Sequence, residues 1–154
     1  MTKKTVKTKP RPLVAGNWKM NGTGADIKQV RALVKTLSGN HKYACDTMIC
    51  PPATLLSRVA ALRTSLKASR KLALGGQDCH ATVSGAHTGD VSAEMLKEAG
   101  ASAVIVGHSE RRSDHGETDK QVKAKVEAVH RAGLTAIMCI GESLKQRKAG
   151  DTLK

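Results

Sequence analysis

A strand-like apolar run recurs five times along this chain of 154 residues, and the repetition limits its possible folds more than any other feature. The runs begin 25 to 34 residues apart and occupy residues 13–15, 47–50, 72–74, 103–106 and 136–140. Each is continuously apolar, as parallel strands covered on both faces are, and the spacing is that of a βα unit. The sequence therefore predicts an α/β protein with a parallel sheet. It leaves open whether that sheet is doubly wound or closed into a barrel.

The segments between these runs have the features of amphipathic helices. Apolar side chains recur three or four residues apart within residues 27–37, 55–66 and 122–129. Thr118 and Gln121 have the spacing of an N-terminal capping box in front of the last of these segments. Gly100 and Gly133 stand where two helices should end. Strands and helices therefore alternate along the whole chain.

The chain is strongly basic, with 26 Lys and Arg against 13 Asp and Glu. Part of this excess lies in residues 1–12, which contain no acidic residue and are predicted to be a solvated, disordered tail before a folded part at 13–154. The tail lacks the apolar core of a secretory signal. Trp18 and Tyr43 are the sole aromatic residues, so an aromatic platform for single-stranded nucleic acid is excluded. The apolar runs are also too short to span a membrane. We expect neither nucleic acid nor a membrane as the partner.

The four cysteines carry no pattern of a metal or redox site. Cys45, Cys50, Cys79 and Cys139 form no C-x-x-C pair, and three of them lie in or beside the strand-like runs. Buried, reduced thiols in a cytoplasmic protein are therefore expected. No metal-ligand spacing recurs among these cysteines and the six histidines. The sequence predicts no metal site.

Specific motifs follow the predicted strands. The first strand ends in GNWKMNG at residues 16–22, the fourth in GHSERR at 107–112 and the fifth in CIGE at 139–142. In this order and at these spacings the motifs resemble the triosephosphate isomerase family, from about Leu13 to the last residue. The family fold is a (β/α)8 TIM barrel. The resemblance therefore implies a parallel TIM barrel that is incomplete here, with about five βα units.

Two residues in these motifs are the candidate catalytic groups. Lys19 is a compact positive charge that can hold a phosphate and stabilise a developing enediolate. His108 precedes a short helical turn, for which Ser109 is the expected cap, and the positive end of a helix favours a neutral imidazole. Such a ring can donate a hydrogen bond to a substrate carbonyl. The resemblance implies interconversion of dihydroxyacetone phosphate and glyceraldehyde 3-phosphate through an enediolate, with His108 as electrophile and without metal or organic cofactor.

The resemblance also assigns four supporting residues. Asn17, like Lys19, is expected to bind the substrate, and Glu110 is expected to accept a hydrogen bond from Lys19. Cys139 matches a cysteine that packs beside the catalytic base. Residues 85–90 resemble a loop that reaches the active site of a neighbouring subunit, with Thr88 at its tip. A homodimer is therefore the implied state of the complete protein.

The resemblance covers five of the eight units of a barrel. At about 28 residues each, eight units need roughly 227 residues after the tail. The glutamate base expected after strand six, the lid on that strand and the glycine-rich phosphate loops after strands seven and eight would lie in the remainder. We therefore expect this chain alone to have no significant isomerase turnover, and we expect two unpaired sheet edges.

Two other functions remain open from the sequence. A paralogous isomerase of a longer sugar phosphate would carry the same motifs, since the residues that size the pocket belong to the loops outside this sequence. A noncatalytic, basic half-barrel could serve as a binding protein, with the charged tail attracting polyanions. Activity on triose against tetrose phosphates would separate the first from the leading interpretation. Salt-dependent retention on heparin or DNA, lost on deletion of residues 1–12, would support the second.

Overall fold

The computed structural model describes residues 9–39, 43–68 and 71–152. Its strands are β1 (Leu13–Asn17), β2 (Asp46–Cys50), β3 (Ala73–Gly76), β4 (Ala103–Val106) and β5 (Thr135–Met138). Its α-helices are α1 (Ile27–Leu37), α2 (Ala53–Ser65), α3 (Ala93–Glu98), α4 (Ser109–His115), α5 (Asp119–Arg131) and α6 (Leu144–Ala149). One turn of 3₁₀ helix, Gly24–Asp26, precedes α1.

The described strands form one parallel sheet in the order β1-β2-β3-β4-β5. Each connection leads to the next strand in the same direction, whereas a doubly wound sheet reverses its strand order at a switch point. The sheet is therefore a curled half-barrel with its helices on one face. This strand order decides between the two architectures that the sequence left open, in favour of a partial TIM barrel.

Apolar side chains cover both faces of the sheet. Along β4 the side chains alternate, so Val104 and Val106 join the core beneath the helices, while Ala103 and Ile105 join a smaller cluster on the inner face. The helical contribution to the larger core comes from the predicted stripes and includes Val30, Val34, Leu55, Val59, Val122 and Val129. This two-sided burial explains why the strands are continuous apolar runs.

Some strands end at residues other than those predicted, because backbone pairing with the neighbouring strand sets their ends and hydrophobicity does not. β4 has the predicted bounds. β1 extends past its apolar run because Gly16 and Asn17 pair with Ile49 and Cys50 of β2. β5 ends at Met138, which pairs with the last residue of β4, and not at residue 140 as predicted.

The predicted helix ends are confirmed. Thr118 Oγ1 accepts a hydrogen bond from the Gln121 backbone N–H at 3.3 Å, and Gln121 Oε1 accepts one from the Thr118 N–H at 2.8 Å. Gly100 and Gly133 have left-handed φ angles of 102° and 72° directly after the C-caps of α3 and α5. Local sequence signals therefore set these helix boundaries.

The edges of the half-barrel are open within the described residues. β1 and β5 each pair on one side, and Val14, Met138 and Ile140 remain 60%, 55% and 85% exposed. Two unpaired edges were expected from a five-unit chain. No helix in the described part of the chain is long and apolar enough to cross a bilayer.

The last residues of the predicted tail contact the start of β2. Arg11 Nε donates to Asp46 Oδ1 at 2.8 Å, and the Asp46 N–H donates to the Pro12 carbonyl at 2.8 Å. These contacts hold residues 11 and 12 against β2, although both were assigned to the tail. Residues 1–8 of the predicted tail lie outside the described part of the chain.

Candidate active site

Polar side chains from three strands meet at one edge of the sheet. Parallel strands end at the same edge, so the loops after β1, β3 and β4 adjoin one another there. They enclose an open cleft of about 570 Å³. Its lining includes Asn17, Lys19, Gln77, Asp78, His108, Glu110 and Arg111. Lys19, His108 and Asn17, the predicted catalytic and substrate-binding residues, thus line one cavity.

Lys19 is held in an unusual backbone conformation. Its φ of 54° is left-handed, which costs energy for a residue with a side chain. The Asn17 Oδ1 accepts a hydrogen bond from the Lys19 backbone N–H at 2.9 Å. On its other side, Gln77 Nε2 donates to the Lys19 carbonyl at 2.9 Å and to the Cys50 carbonyl at 2.8 Å. The side chains of the last residue of β1 and of the residue after β3 therefore fix the position of the lysine.

The Lys19 ammonium lies against a carboxylate of α4. Its Nζ is 2.7 Å from Glu110 Oε1, the contact expected from the sequence. The two side chains are 52% and 48% exposed. An ammonium group has three donors, so this ion pair leaves donors that can reach an anion in the cleft.

His108 sits at the start of α4 with a defined hydrogen-bond acceptor. Its Nδ1 accepts a hydrogen bond from the Glu110 backbone N–H at 3.3 Å. A neutral ring that accepts at Nδ1 carries its proton on Nε2. The geometry therefore makes Nε2 a hydrogen-bond donor for a ligand in the cleft.

The expectation that Ser109 caps this helix was wrong. His108, with an extended ψ of 142°, is the N-cap of α4, and Ser109 is the first helical residue. Serine is the better capping residue by propensity. The imidazole takes the capping place here because its Nδ1 reaches the backbone N–H of the second helical residue.

Cys139 lies beside the cleft and Thr88 lies away from it. The Cys139 N–H donates to the Val106 carbonyl at 2.9 Å, and its side chain packs against the inner apolar cluster. Burial raises the pKa of the Cys139 thiol. Together with His108 it lines an adjoining open cleft of about 860 Å³. Thr88 is exposed in the loop between β3 and α3 and lines neither cleft.

Comparison with known proteins gives the family. Residues 12–154 match the family model described as triosephosphate isomerase. The chain belongs to the triosephosphate isomerase family. The match begins one residue before β1 and includes every strand described above.

Individual relatives agree with this assignment. The triosephosphate isomerase of Ruegeria sp. (strain TM1040) is 55% identical over 144 residues, which are 94% of this chain and 55% of the relative. That of Ruegeria pomeroyi is 58% identical, over 93% of this chain and 54% of the relative. The crystal structure of triosephosphate isomerase from Bartonella henselae superposes with a TM-score of 0.85 at 49% identity, over 94% of this chain and 57% of that one. The chain spans about 55% of the length of the curated relatives it matches.

One ion-pair network of this triosephosphate isomerase family member was missed by the sequence reasoning. Lys125 Nζ donates to both carboxylate oxygens of Asp78 at 2.8 Å and to Glu117 Oε1, while Arg111 Nε lies 2.8 Å from Asp78 Oδ2. The Glu117 side chain is 4% exposed. Burial raises the pKa of Asp78, against the lowering effect of Lys125 and Arg111. The network joins the floor of the cleft to α5.

A signal for this network exists in the sequence. Lys125 lies three residues after Val122 and four before Val129, so it falls on the buried stripe of α5. A lysine in a buried stripe requires an acidic partner. The partner could not be named from the sequence, because Asp78 is 47 residues away along the chain.

Proposed function

We propose that this chain supplies the carbonyl-polarising and anion-binding groups of an active site that interconverts dihydroxyacetone phosphate and glyceraldehyde 3-phosphate. Family membership supports the reaction class. The observation that carries the proposal is that Lys19 and His108 line one cleft and both contact Glu110, whose carboxylate lies 2.7 Å from Lys19 Nζ and whose backbone N–H donates to His108 Nδ1 at 3.3 Å. A three-carbon phosphate in the cleft can therefore meet both side chains.

Lys19 binds negative charge in this proposal. The phosphate of the substrate and the oxygen that becomes negative in the enediolate are both anions that an ammonium stabilises. A fixed charge stabilises them more than water does, because it needs no reorientation when the reaction occurs. The left-handed backbone of Lys19 and its pairing with Glu110 supply that fixed position.

His108 polarises the substrate carbonyl. Its Nε2–H donates a hydrogen bond to the carbonyl oxygen, which makes the adjacent C–H more acidic and stabilises the enediolate. The same ring then moves a proton between the two oxygens of the enediolate. Asn17 is the orienting residue, and because its Oδ1 is bound to the Lys19 N–H, its Nδ2 is the donor for a substrate oxygen.

The base that removes the carbon-bound proton is a glutamate after a sixth strand in this account. The described residues form five strands. Glu142 is no substitute, since it is paired with Arg147 at 2.5 Å and its side chain is 15% exposed. We therefore infer that the 154-residue chain alone has no significant turnover, and that Cys139 packs beside the place of the base.

The complete protein is proposed to be a cytoplasmic homodimer that acts in glycolysis and gluconeogenesis. Family membership supports the metabolic role, and an exposed loop between β3 and α3 that carries Thr88 supports the dimer. The loop is closed at its base, where the His80 N–H donates to the Val91 carbonyl at 2.8 Å. A closed, exposed loop is suited to insertion into a neighbouring subunit, where Thr88 would contact the partner's active site.

A chimera tests the proposed reaction. Residues 11–154 of this chain are joined to the C-terminal part of the Ruegeria pomeroyi enzyme that the chain does not cover, which completes eight units. We expect the chimera to isomerise both triose phosphates, while the 154-residue chain shows no turnover above buffer. A chimera with a native circular dichroism spectrum but no activity would overturn the proposal. Turnover by the chain alone would overturn the assignment of the base.

A further inference from the structure

The positive charge of the chain is concentrated in its first half. Residues 27–77 contain nine Lys and Arg against one acidic residue, Asp46. Basic and acidic residues are equal, at twelve each, in residues 13–26 and 78–154 together. The net charge of +13 therefore comes from residues 1–12 and from the segment that forms α1, β2, α2 and β3. Such an asymmetry of charge is typical of proteins with a polyanionic partner.

Part of this charge forms one exposed row on α1. Lys28, Arg31 and Lys35 are all exposed, and their spacing of three and four residues places them along one side of the helix. The same helix turns Val30 and Val34 towards the core. At a rise of about 1.5 Å per residue, the row of Lys28, Arg31 and Lys35 is roughly 10 Å long. We call these three residues the α1 row.

Exposed basic side chains of α2 extend this surface. α1 and α2 pack side by side against the core. Arg58 of α2 is exposed, and its guanidinium group lies against Gly24 in the 3₁₀ turn directly before α1. Lys67 is exposed just after the end of α2. Both helices connect parallel strands, so their C-terminal ends, with Lys35 and Lys67, lie towards the same edge of the sheet.

Within the described residues the α1 row takes part in no ion pair. Asp26, just before the helix, accepts hydrogen bonds from the Thr23 N–H at 2.8 Å and from Thr23 Oγ1 at 3.2 Å. Like charges that are held on one surface repel one another, and bound anions relieve that repulsion. The row is therefore suited to contact several negative charges at once.

We propose that the outer face of α1 and α2 binds double-stranded nucleic acid through its phosphates, without reading the base sequence. Phosphates follow one another every 3.4 Å or so along the axis on each strand, so a row of roughly 10 Å faces about three of them. This contact needs no aromatic platform, because the bases stay stacked within the duplex. The scarcity of aromatic residues, from which we expected no nucleic-acid partner, argues against the stacking of single strands and not against a duplex.

The same face is less suited to a membrane. Helices that lie on a bilayer bury large apolar side chains next to their charged ones. The large apolar side chains that are exposed in the described part of the chain include none from α1 or α2. An anionic bilayer would therefore be held by charge alone, without the apolar contact that such helices use.

This surface is separate from the candidate active site. Neither the α1 row nor Arg58 and Lys67 line the cleft that contains Lys19 and His108. Neutralising the α1 row should therefore leave kcat/KM of the chimera unchanged. The duplex-binding test and the isomerase test can each fail without affecting the other.

Fluorescence anisotropy of a labelled DNA duplex of about 20 bp, titrated with the 154-residue chain at about 25 to 200 mM NaCl, tests the surface. We expect saturable binding that weakens with salt and that differs by less than about twofold between duplexes of unrelated sequence. Combining Lys28→Gln, Arg31→Gln and Lys35→Gln should make the slope of log K against log [NaCl] shallower by roughly 2.7, because each phosphate contact contributes about 0.9. All three residues are exposed, so the fold should be retained, which circular dichroism checks.

A variant that combines Lys120→Gln, Lys145→Gln and Lys148→Gln is the matched control. These are exposed lysines of α5 and α6, and their replacement removes the same net charge. The control should change the slope by less than about 1. Equal losses of affinity in the two variants would show that net charge and not this surface is responsible, and would overturn the proposal.

Three further results would overturn it. The first is the absence of saturable binding at the lowest salt concentration. The second is binding that survives neutralisation of the α1 row and is lost on deletion of residues 1–8. The third is binding to phosphatidylglycerol vesicles that is as tight at equal phosphate concentration and depends on the same row, because the partner would then be an anionic surface in general and not a duplex.

Discussion

Lys19 Nζ lies 2.7 Å from Glu110 Oε1, and this ion pair joins the loop after β1 to the first turn of α4. The backbone N–H of the same glutamate donates to His108 Nδ1 at 3.3 Å. Both members of the ion pair are about half exposed, so its contribution to stability is small. We infer that Glu110 acts mainly by orienting Lys19 beside the imidazole.

Glu110→Ala tests this orienting effect in the chimera. Because a misplacement of about 1 Å can cost roughly 10² in rate, we expect kcat to fall by about that factor. The free energy of unfolding should change by less than about 1 kcal/mol. Steady-state kinetics and urea denaturation measure the two effects. Glu127→Ala is the control, because Glu127 is an exposed acid 4.0 Å from Lys123, and it should alter neither quantity. Unchanged kcat in Glu110→Ala would contradict an orienting role.

The buried network should behave differently from surface ion pairs. Lys125→Met leaves Asp78 without its Lys125 contacts and Glu117, which is 4% exposed, without its hydrogen-bonded partner. We expect it to lower the free energy of unfolding by about 3–5 kcal/mol. Lys123→Met, two residues earlier on the same helix and 79% exposed, should cost at most about 0.5 kcal/mol. Equal losses for the two variants, measured by urea denaturation, would show that the network contributes nothing specific.

The buried thiols predict a loss of stability at alkaline pH. Burial raises the pKa of the Cys50 thiol from 9.0 to about 11. The unfolded chain therefore releases this proton near pH 9, while the folded chain keeps it to about pH 11, so stability falls as pH rises through this window. Each pKa unit corresponds to about 1.4 kcal/mol, so ionisation of Cys50 in the unfolded chain lowers the free energy of unfolding by about 3 kcal/mol across this window.

A matched pair of variants isolates that contribution. Cys50→Ala should flatten the decline in the free energy of unfolding between pH 8 and 11, measured by urea denaturation at each pH. Cys45→Ala removes a half-buried thiol, and its free energy of unfolding should fall with pH in parallel with that of the unsubstituted chain. If the free energy of unfolding falls in parallel for all three proteins, the Cys50 thiol is not the cause of the alkaline loss of stability.

The fold was largely predictable because its signals are local. The residues of β4 are apolar on both faces, so its bounds could be read directly from the sequence. The capping pair Thr118 and Gln121 lies three residues apart and needs no tertiary contact. The order of the strands in the sheet depends on contacts between distant segments, and the sequence did not predict it. The choice between a barrel and a doubly wound sheet therefore needed the observed pairing of β1 with β2 and of β4 with β5.

The sequence identified the main residues of the candidate site but did not predict most of the contacts that position them. Lys19 and His108 were identified from motifs, but the left-handed backbone of Lys19 depends on Asn17 and Gln77, and Gln77 carried no signal of its own. His108 displaced Ser109 as the cap through a ring nitrogen, which propensity scales do not include. The proximity of His80, His87 and Asp90 was not predicted either, because it arises from the folding of the loop between β3 and α3.

The central claim is that Lys19 and His108 act on one substrate, and kinetics of the chimera test it most directly. We predict that Lys19→Met and His108→Gln each lower kcat/KM by at least about 10²-fold, because one removes the anion-binding charge and the other the donor to the carbonyl. Lys28→Met, on the exposed face of α1, should leave kcat/KM unchanged. Full activity in either Lys19→Met or His108→Gln, with the native fold retained, would contradict the account.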